Sequence, residues 1–213
     1  MTKLFRILVV LAGLSMIALP AQAYEKGDWL VRVGGGMVDP KSDNSSIVSV
    51  DSGSSLIFNG TYFFTPNIGL EVLAALPFSH DIHDPTGALK LAETKHLPPT
   101  FSLQYHFNTD MAFRPYVGAG LNYTTFFDEE TTDTLNAAFT LSSSSLSLDD
   151  SFGIAAQLGA DFDVSDNLFL NVDIRWINIE TDATVSSPDL ASPLTFDVEI
   201  DPMVYSIALG WKF

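Results

Sequence analysis

Cysteine is absent from this 213-residue sequence. The chain therefore has no disulfide, no thiol nucleophile and no cysteine-ligated zinc site. Basic residues are scarce as well, because 10 Lys and Arg stand against 26 Asp and Glu, which gives a formal net charge of −16. Such an acidic chain lacks the basic face that binds phosphate groups, which argues against a nucleic-acid-binding protein.

Long apolar runs are also missing beyond the first 23 residues. No later segment reaches the roughly 20 consecutive apolar residues of a transmembrane helix. Even so, 46% of the residues are hydrophobic and the mean hydropathy is +0.21, which argues against a disordered chain. The length suits one domain. A chain that is both apolar and strongly acidic is unusual for a soluble globular protein. We therefore ask where the apolar and the acidic residues lie along the chain.

Residues 1–23 have the organisation of a secretory signal peptide. Two basic residues precede an apolar run over residues 7–19, and Ala21-Gln22-Ala23 matches a small-x-small cleavage site. The apolar run is too short to span a bilayer as a helix, so a retained anchor helix is the less favoured alternative. We predict cleavage after Ala23, which leaves residues 24–213 as one domain outside the cytoplasm.

The remaining chain alternates apolar and polar residues with a period of two. The clearest stretch covers residues 97–108, in which every second residue from Leu97 to Phe107 is apolar. Because successive side chains of a strand point to opposite faces, such a stretch has one apolar face. Similar alternation covers residues 68–78, 152–164, 168–176 and 203–213, with weaker copies near Trp29, Leu56 and Val117. The sequence therefore predicts eight strands.

The connections between these strands alternate in length. Short turns are predicted at 65–67, 108–114 and 165–167, and long segments at 39–52, 79–96, 128–150 and 180–199. This asymmetry predicts an all-β fold, an eight-stranded antiparallel transmembrane β-barrel with short periplasmic turns and long extracellular loops. A soluble barrel of lipocalin type is the alternative, but its polar residues would face outward. Here the consistently apolar face carries the aromatic residues, which favours the bacterial outer membrane.

Most of the acidity falls in the long segments, in or beside which 18 of the 26 acidic residues lie. We interpret them as a solvated surface. The alternative is a rim that binds divalent cations and bridges to anionic lipopolysaccharide, which calcium titration of the detergent-solubilised protein would test. The segment 80–84 contains two histidines and two aspartates that could ligate a metal, but a solvated loop is the favoured interpretation. We predict no metal and no cofactor.

The segment Phe113 to Asp128, with the sequence FRPYVGAGLNYTTFFD, resembles a signature of the OmpW family of small outer-membrane barrels. Further stretches match at 67–71, 96–100, 146–153 and in the closing strand, whereas the first and fourth long segments match poorly. The resemblance implies a monomeric eight-stranded barrel with a narrow hydrophobic channel and no catalytic activity. Such barrels are thought to move small apolar molecules across the outer membrane and to release them sideways into lipid.

The closing strand ends on an aromatic residue, Phe213, and has apolar residues at every second position back to Met203. This pattern resembles the terminal signal by which barrel-assembly machinery recognises outer-membrane proteins. We therefore expect that machinery to act on the chain during biogenesis.

The family resemblance also suggests which residues narrow the channel. Leu73 matches an inward leucine that forms a constriction, and Ala75 is expected to line the lumen beside it. Arg175 occupies the inward position at which a family member carries a tryptophan, while Trp176 faces lipid by parity. This departure argues against a dry constriction at that level.

Several polar residues share the inward parity of the predicted strands, namely Arg32, Glu71, Gln104, His106, Gln157, Asp161 and Asp173. Isolated charges are costly inside a small barrel, so we predict that these residues pair as a polar plug in its periplasmic half. The plug blocks a water pore, and a solute that enters from outside then needs another exit. Pro77, Pro98 and Pro99 lie near the outer ends of the third and fourth strands, where proline removes hydrogen bonds. We predict a lateral opening there.

Two functions remain in competition. The first is passive uptake of small hydrophobic molecules, and the second is a surface anchor whose acidic loops contact phage, host or lipopolysaccharide above a plugged lumen. An enzyme is disfavoured, because the chain has no Gly-x-Ser-x-Gly motif. An apolar cavity near Leu73 and Ala75 would favour uptake, whereas side chains that fill the lumen to its rim would favour the anchor. Four apolar loop residues, Phe139, Leu141, Leu146 and Leu148, are expected to fold over the barrel mouth or to pack among the loops.

Overall fold

The computed structural model describes residues 24–42, 45–107 and 112–213. The predicted signal peptide lies outside the described residues, as do Asp43 of the first acidic segment and residues 108–111 of a predicted short turn. Within the described ranges, no helix has both the length and the apolar character needed to cross a membrane.

The described chain contains fourteen strands and one short helix. In chain order they are β1 (Trp29–Asp39), β2 (Ser49–Val50), β3 (Gly53–Phe63), β4 (Ile68–Ala75), β5 (Phe78–His83), β6 (Lys90–Leu97), β7 (Thr100–His106), β8 (Phe113–Thr131), α1 (Asp133–Phe139), β9 (Ser145–Leu148), β10 (Ser151–Asp163), β11 (Leu168–Ile177), β12 (Glu180–Ser186), β13 (Leu194–Glu199) and β14 (Met203–Lys212).

Eight of these strands close a barrel. They pair with antiparallel neighbours in the order β1-β3-β4-β7-β8-β10-β11-β14, and β14 pairs with β1 to complete the circle. The predicted eight-stranded antiparallel barrel is therefore confirmed. Each of the eight strands therefore has a paired neighbour on both sides, which is what a bilayer requires of a sheet.

The side chains of the wall alternate between the interior and the outer surface. Along β7, Thr100, Ser102 and Gln104 are buried, whereas Phe101 and Leu103 are exposed on the outside. The other wall strands repeat this arrangement, so the exterior is a band of apolar side chains and the interior is largely polar. Such a band matches the hydrocarbon layer of a membrane.

The prolines interrupt two of the predicted strands. The stretch predicted as one strand over 97–108 is divided, because β6 ends at Leu97 and β7 begins only at Thr100, after two prolines that lack an amide hydrogen. Phe78 was expected on the outward apolar face but is only 1% exposed. The backbone bends at Leu76 and Pro77, which resets the alternation and turns Phe78 inward.

The long connections are located as predicted, but they fold into further structure. The β5–β6 hairpin extends the sheet from the outer part of β8, and β2 pairs with its edge. A separate three-stranded sheet has the order β13-β12-β9. The helix α1 begins after Thr132, whose Oγ1 accepts a hydrogen bond from the Leu135 amide at 3.2 Å. These elements together form a folded layer, the outer layer, above the extracellular end of the barrel.

Candidate functional site

Glu71 lies at the centre of a buried network of polar side chains inside the barrel. Its Oε1 accepts a hydrogen bond from Arg175 Nη2 at 2.5 Å, and its Oε2 accepts from Gln104 Nε2 at 2.9 Å and from Asn59 Nδ2 at 3.1 Å. Arg32 Nη1 lies 3.5 Å from the same Oε2. Three hydrogen-bond donors and one further guanidinium, on four strands, therefore converge on one carboxylate.

Asp161 anchors the periplasmic side of this interior network. It accepts hydrogen bonds from Tyr24 Oη at 2.6 Å, Asn171 Nδ2 at 2.7 Å and Arg32 Nη2 at 3.0 Å. Arg32 consequently bridges Asp161 and Glu71. A buried charge persists only when it is paired and hydrogen-bonded in this way.

Asp173 completes the set of buried charges. Tyr116 Oη donates to its Oδ2 at 2.9 Å, and Arg175 Nε lies 3.6 Å from its Oδ1. The network thus joins three carboxylates to two guanidinium groups, and all five side chains are buried. The carboxyl groups of this network outnumber its guanidinium groups by one.

The structure places all seven residues of the predicted polar plug in the barrel interior. Three are the carboxylates just described, and Arg32 and Gln104 bond to them. His106 Nε2 lies 3.0 Å from Gln104 Oε1, with its ring stacked on Tyr116 at a centroid distance of 4.7 Å. The amide nitrogen and oxygen of Gln157 are buried and have no hydrogen-bond partner in the described ranges.

Four members of the interior network described above were not singled out from the sequence, namely Tyr24, Asn59, Tyr116 and Asn171. Asn59 has the inward parity of β3, so the parity argument could have found it. Tyr116 is also inward by parity, but aromatic residues were expected on the lipid face. Its hydroxyl group accounts for its interior position, since a tyrosine combines an apolar ring with a polar end.

An apolar layer lies above the interior network. Leu73 is buried and belongs to one cluster with Val38, Ile57, Phe78 and Val204. These side chains nearly fill the lumen and leave a gap of about 10 Å³. The three residues predicted to line the channel, Leu73, Ala75 and Arg175, all border this gap.

A much larger cavity of about 260 Å³ lies in the outer layer. Its lining is overwhelmingly apolar and includes Val48, Ile82, Leu91, Phe126, Leu135 and Val198, which come from all four long connections or the strands beside them. The four loop residues Phe139, Leu141, Leu146 and Leu148 line it as well. The apolar side chains of the extracellular segments are thus gathered around a single space.

Two stacked histidines form part of the cavity wall. The rings of His80 and His96 lie 4.8 Å apart at 21°, and His96 stacks on Phe78 at 5.5 Å. His80 Nδ1 donates to the carbonyl oxygen of Asp51 at 2.6 Å. Burial lowers the pKa of His96 to about 3 and also lowers the pKa of His80, so both rings are neutral at pH 7.

The solvated-loop interpretation of segment 80–84 is therefore wrong for His80, which is buried because β5 turns it toward the cavity. Across the described parts of the chain, no group of three or more His, Asp or Glu side chains is arranged to hold a metal ion.

The barrel wall is interrupted beside the small gap. The β4–β7 ladder ends at the pair Leu73–Thr100, and pairing resumes at Phe78–His96 between β5 and β6. No ladder pair joins residues 74–77 to residues 97–99 in the described structure. These two stretches contain Pro77, Pro98 and Pro99, and Pro98 borders the gap.

Comparison with known proteins places this architecture in a family. The OmpW family model matches residues 25–213. Outer membrane protein W of Vibrio cholerae serotype O1 is 46% identical, with 97% of each chain covered, and outer membrane protein W of Escherichia coli K12 is 36% identical, with 95% of this chain and 96% of that one covered.

A solved structure supports the same assignment. The crystal structure of the outer membrane protein OprG from Pseudomonas aeruginosa has a TM-score of 0.80 to this chain at 37% identity, covering 90% of this chain and 98% of that one. The resemblance first noted in residues 113–128 is thereby confirmed over the whole described barrel. The chain belongs to the OmpW family and is a β-barrel protein of the bacterial outer membrane.

Proposed function

We propose that the protein mediates passive uptake of small hydrophobic molecules and catalyses no reaction. The observation that carries this proposal is the apolar cavity of about 260 Å³ in the outer layer. Removing apolar surface from water is favourable by about 25 cal/mol per Å², so the cavity attracts apolar solutes. An apolar cavity of about 150 Å³ already holds benzene, which makes this one suitable for a somewhat larger solute.

The exit that we propose is sideways rather than downward. The interior network seals the barrel axis with buried ion pairs, and a ring of apolar residues (Tyr24, Leu30, Phe63 and Phe169) packs beneath it. The interruption between residues 74–77 and 97–99 supports a lateral opening, because no ladder has to break for the wall to part there. The solute would then pass from the cavity into lipid beside Pro77, Pro98 and Pro99.

A reversible crosslink tests this route. Continuing the β4–β7 register past Leu73–Thr100 brings position 75 opposite position 98. The variant Ala75→Cys/Pro98→Cys can form a disulfide without competition, because the chain has no other cysteine. We expect oxidation to lower the rate of n-octane uptake by at least about five-fold and reduction to restore it. The measurement uses a Gram-negative host that lacks its own OmpW-family protein.

A crosslink in an intact part of the wall provides the control. Ala119 and Ala156 are register partners on β8 and β10. The oxidised variant Ala119→Cys/Ala156→Cys should take up n-octane as the unmodified protein does. Unchanged uptake by the oxidised Ala75/Pro98 variant would contradict lateral release.

One observation favours a second function, that of a surface anchor. The lumen at Leu73 is nearly filled, and the loops that cover it are strongly acidic. On this view the barrel anchors the acidic loops, which contact phage, host or lipopolysaccharide. A strain in which neither crosslink nor deletion of the protein alters n-octane uptake would favour the anchor.

The proposed partners follow from the location in the membrane. We propose that the protein acts as a monomer, contacts outer-membrane lipids and lipopolysaccharide, and is inserted by the barrel-assembly machinery. The closed eight-stranded wall supports a monomer, because it needs no second chain to complete it.

A further inference from the structure

Asn59 and Arg175 present two buried hydrogen-bonding atoms that have no partner among the described residues. These atoms are Asn59 Oδ1, an acceptor, and Arg175 Nη1, a donor. The two residues are only 4% and 1% exposed. Buried polar atoms are nearly always paired in folded proteins, so two of complementary type in one place indicate a missing contact.

The same carboxylate holds both side chains in position. Asn59 Nδ2 donates to Glu71 Oε2 at 3.1 Å, and Arg175 Nη2 donates to Glu71 Oε1 at 2.5 Å. The amide and the guanidinium are therefore fixed before any ligand arrives. A site that is organised in advance loses little conformational entropy on binding.

Both residues border the gap of about 10 Å³ below the apolar layer. That volume admits one group of about the size of a water oxygen. Leu73, Phe78 and Val204 form apolar walls of the same gap. Ala75 and Pro98 also border it, so the gap adjoins the interruption in the barrel wall.

The chemistry of the gap selects among small head groups. A hydroxyl can accept one hydrogen bond and donate another, which matches the free donor and the free acceptor. A carboxylate would lie beside Asp173, a third carboxyl group in a network that has only two guanidinium groups. An ammonium group only donates, so it would leave Arg175 Nη1 unpaired beside a second cation. A methyl group satisfies neither atom.

We propose that Asn59 and Arg175 bind the terminal hydroxyl of an otherwise apolar solute, such as a long-chain alcohol or an alkylphenol. The hydroxyl oxygen accepts from Arg175 Nη1, and its hydrogen is donated to Asn59 Oδ1. The gap admits only the head group, so Phe78 must rotate for the alkyl chain to lie in the apolar layer. This inference rests on the proposed uptake function and narrows its substrate class.

Equilibrium binding of four eight-carbon solutes tests the site. The full mature chain in lipid nanodiscs is titrated with n-octane, 1-octanol, octanoate and octylamine, and nanodiscs without protein correct for partition into lipid. We expect 1-octanol to bind about five-fold more tightly than n-octane, as one net hydrogen bond allows. Asn59→Leu should abolish this preference, and Asn59→Thr, which keeps an acceptor oxygen, should retain part of it.

Gln157→Leu is the matched control. Gln157 is also a buried interior residue with unpartnered amide atoms, but it does not border the gap. Its replacement should leave the preference for 1-octanol unchanged. Heat-modifiable migration on gels verifies that each variant is folded, and Asn59→Thr preserves the test if Asn59→Leu does not fold.

Three results would overturn the site: equal binding of n-octane and 1-octanol, an unchanged preference in Asn59→Leu, or a preference for octanoate or octylamine. A different measurement would show that the proposed uptake function is wrong: cells with and without the protein would take up n-octane equally. Protein-dependent n-octane uptake without a hydroxyl preference removes only the hydroxyl site.

Discussion

Asp161 makes an ion pair and several hydrogen bonds in the barrel interior. It is the nearest carboxylate to Arg32, since Arg32 Nη2 lies 3.0 Å from it and Arg32 Nη1 lies 3.5 Å from Glu71. Tyr24 and Asn171 donate to the same carboxylate, so one side chain ties four strands or segments together.

We expect Asp161→Asn to destabilise the barrel strongly, because it leaves Arg32 buried without its closest counter-charge. Breaking a buried ion pair costs about 3–5 kcal/mol, and the free energy of unfolding should fall by that amount in urea titrations of protein folded into lipid vesicles. Asp166→Asn, in an exposed turn, should change it by less than about 0.5 kcal/mol. Similar effects of the two substitutions would contradict the assigned pairing.

Sequence parity predicted which polar side chains point inward, but it could not predict their partners. Glu71 bonds to Arg175, 104 positions away, and that contact depends on the curvature of the closed barrel. Gly159 illustrates the same limit. A Cβ atom there would lie 2.3 Å from Tyr116 Oη, so the glycine makes room for the tyrosine that bonds to Asp173, which no local pattern reveals.

At the scale of elements, the β5–β6 hairpin forms one wall of the cavity in the outer layer. His96 on β6 packs between Phe78 and His80 of β5, and Phe126 of β8 lies against its ring. The carboxylates near the pair are Asp51 and Asp81, which act on His80. Stability of this hairpin depends on the two imidazoles remaining uncharged.

We expect the hairpin to lose stability as the pH falls. Burial lowers the folded pKa of His96 to about 3, whereas an unfolded histidine titrates near 6.5. The unfolded state thus takes up a proton first, so the full stability is present above about pH 6.5 and declines steadily from there toward pH 3. Hydrogen exchange of the hairpin amides, corrected for intrinsic rates, should show less protection at pH 4.5 than at pH 7.

His96→Phe tests the assignment, because phenylalanine keeps the stack on Phe78 but cannot take up a proton. The loss of protection between pH 7 and pH 4.5 should become smaller in this variant, with the remainder due to His80. An unaltered pH dependence would show that His96 is not responsible.

The elements were predicted well where alternation is long and poorly where proline or a loop intervenes. Alternation continues through Pro98 and Pro99 in the sequence, so the end of β6 and the start of β7 could not be separated. The outer strands β12 and β13 were missed because they are short and rich in acidic residues. Their apolar residues, such as Ala183 and Val198, face a cavity that exists only once four segments have met.

At the scale of the whole molecule, two leucine side chains with similar exposed fractions lie in different surroundings. Leu158, in the middle of β10, is 58% exposed on the barrel wall, and Leu194 on β13 is 51% exposed in the outer layer. The first contacts lipid, whereas the second borders the apolar cavity and exposes about half of its surface to water. This separation explains how one chain combines a positive mean hydropathy with a strongly negative charge.

We expect Leu158→Arg to destabilise the folded barrel by about 2–4 kcal/mol, as an arginine near the bilayer midplane does. Leu194→Arg introduces the same side chain at the edge of the cavity, where its guanidinium can reach water, so the substitution should have little effect on stability. Urea titrations and refolding yields in lipid vesicles provide the measurement. Equal tolerance of both substitutions would mean that the apolar band does not face lipid.

The length of β8 has a consequence for the proposed uptake of solutes. This strand continues for 19 residues, and Tyr123 is its last strongly exposed apolar residue, so we expect its last eight residues to project from the membrane. At about 3.3 Å per residue they carry the hairpin and cavity to a height of at most roughly 26 Å above the lipid. At that height the cavity would lie among the surface sugars, so under the proposed uptake function the thickness of a cell's surface saccharide should govern how readily solutes reach it.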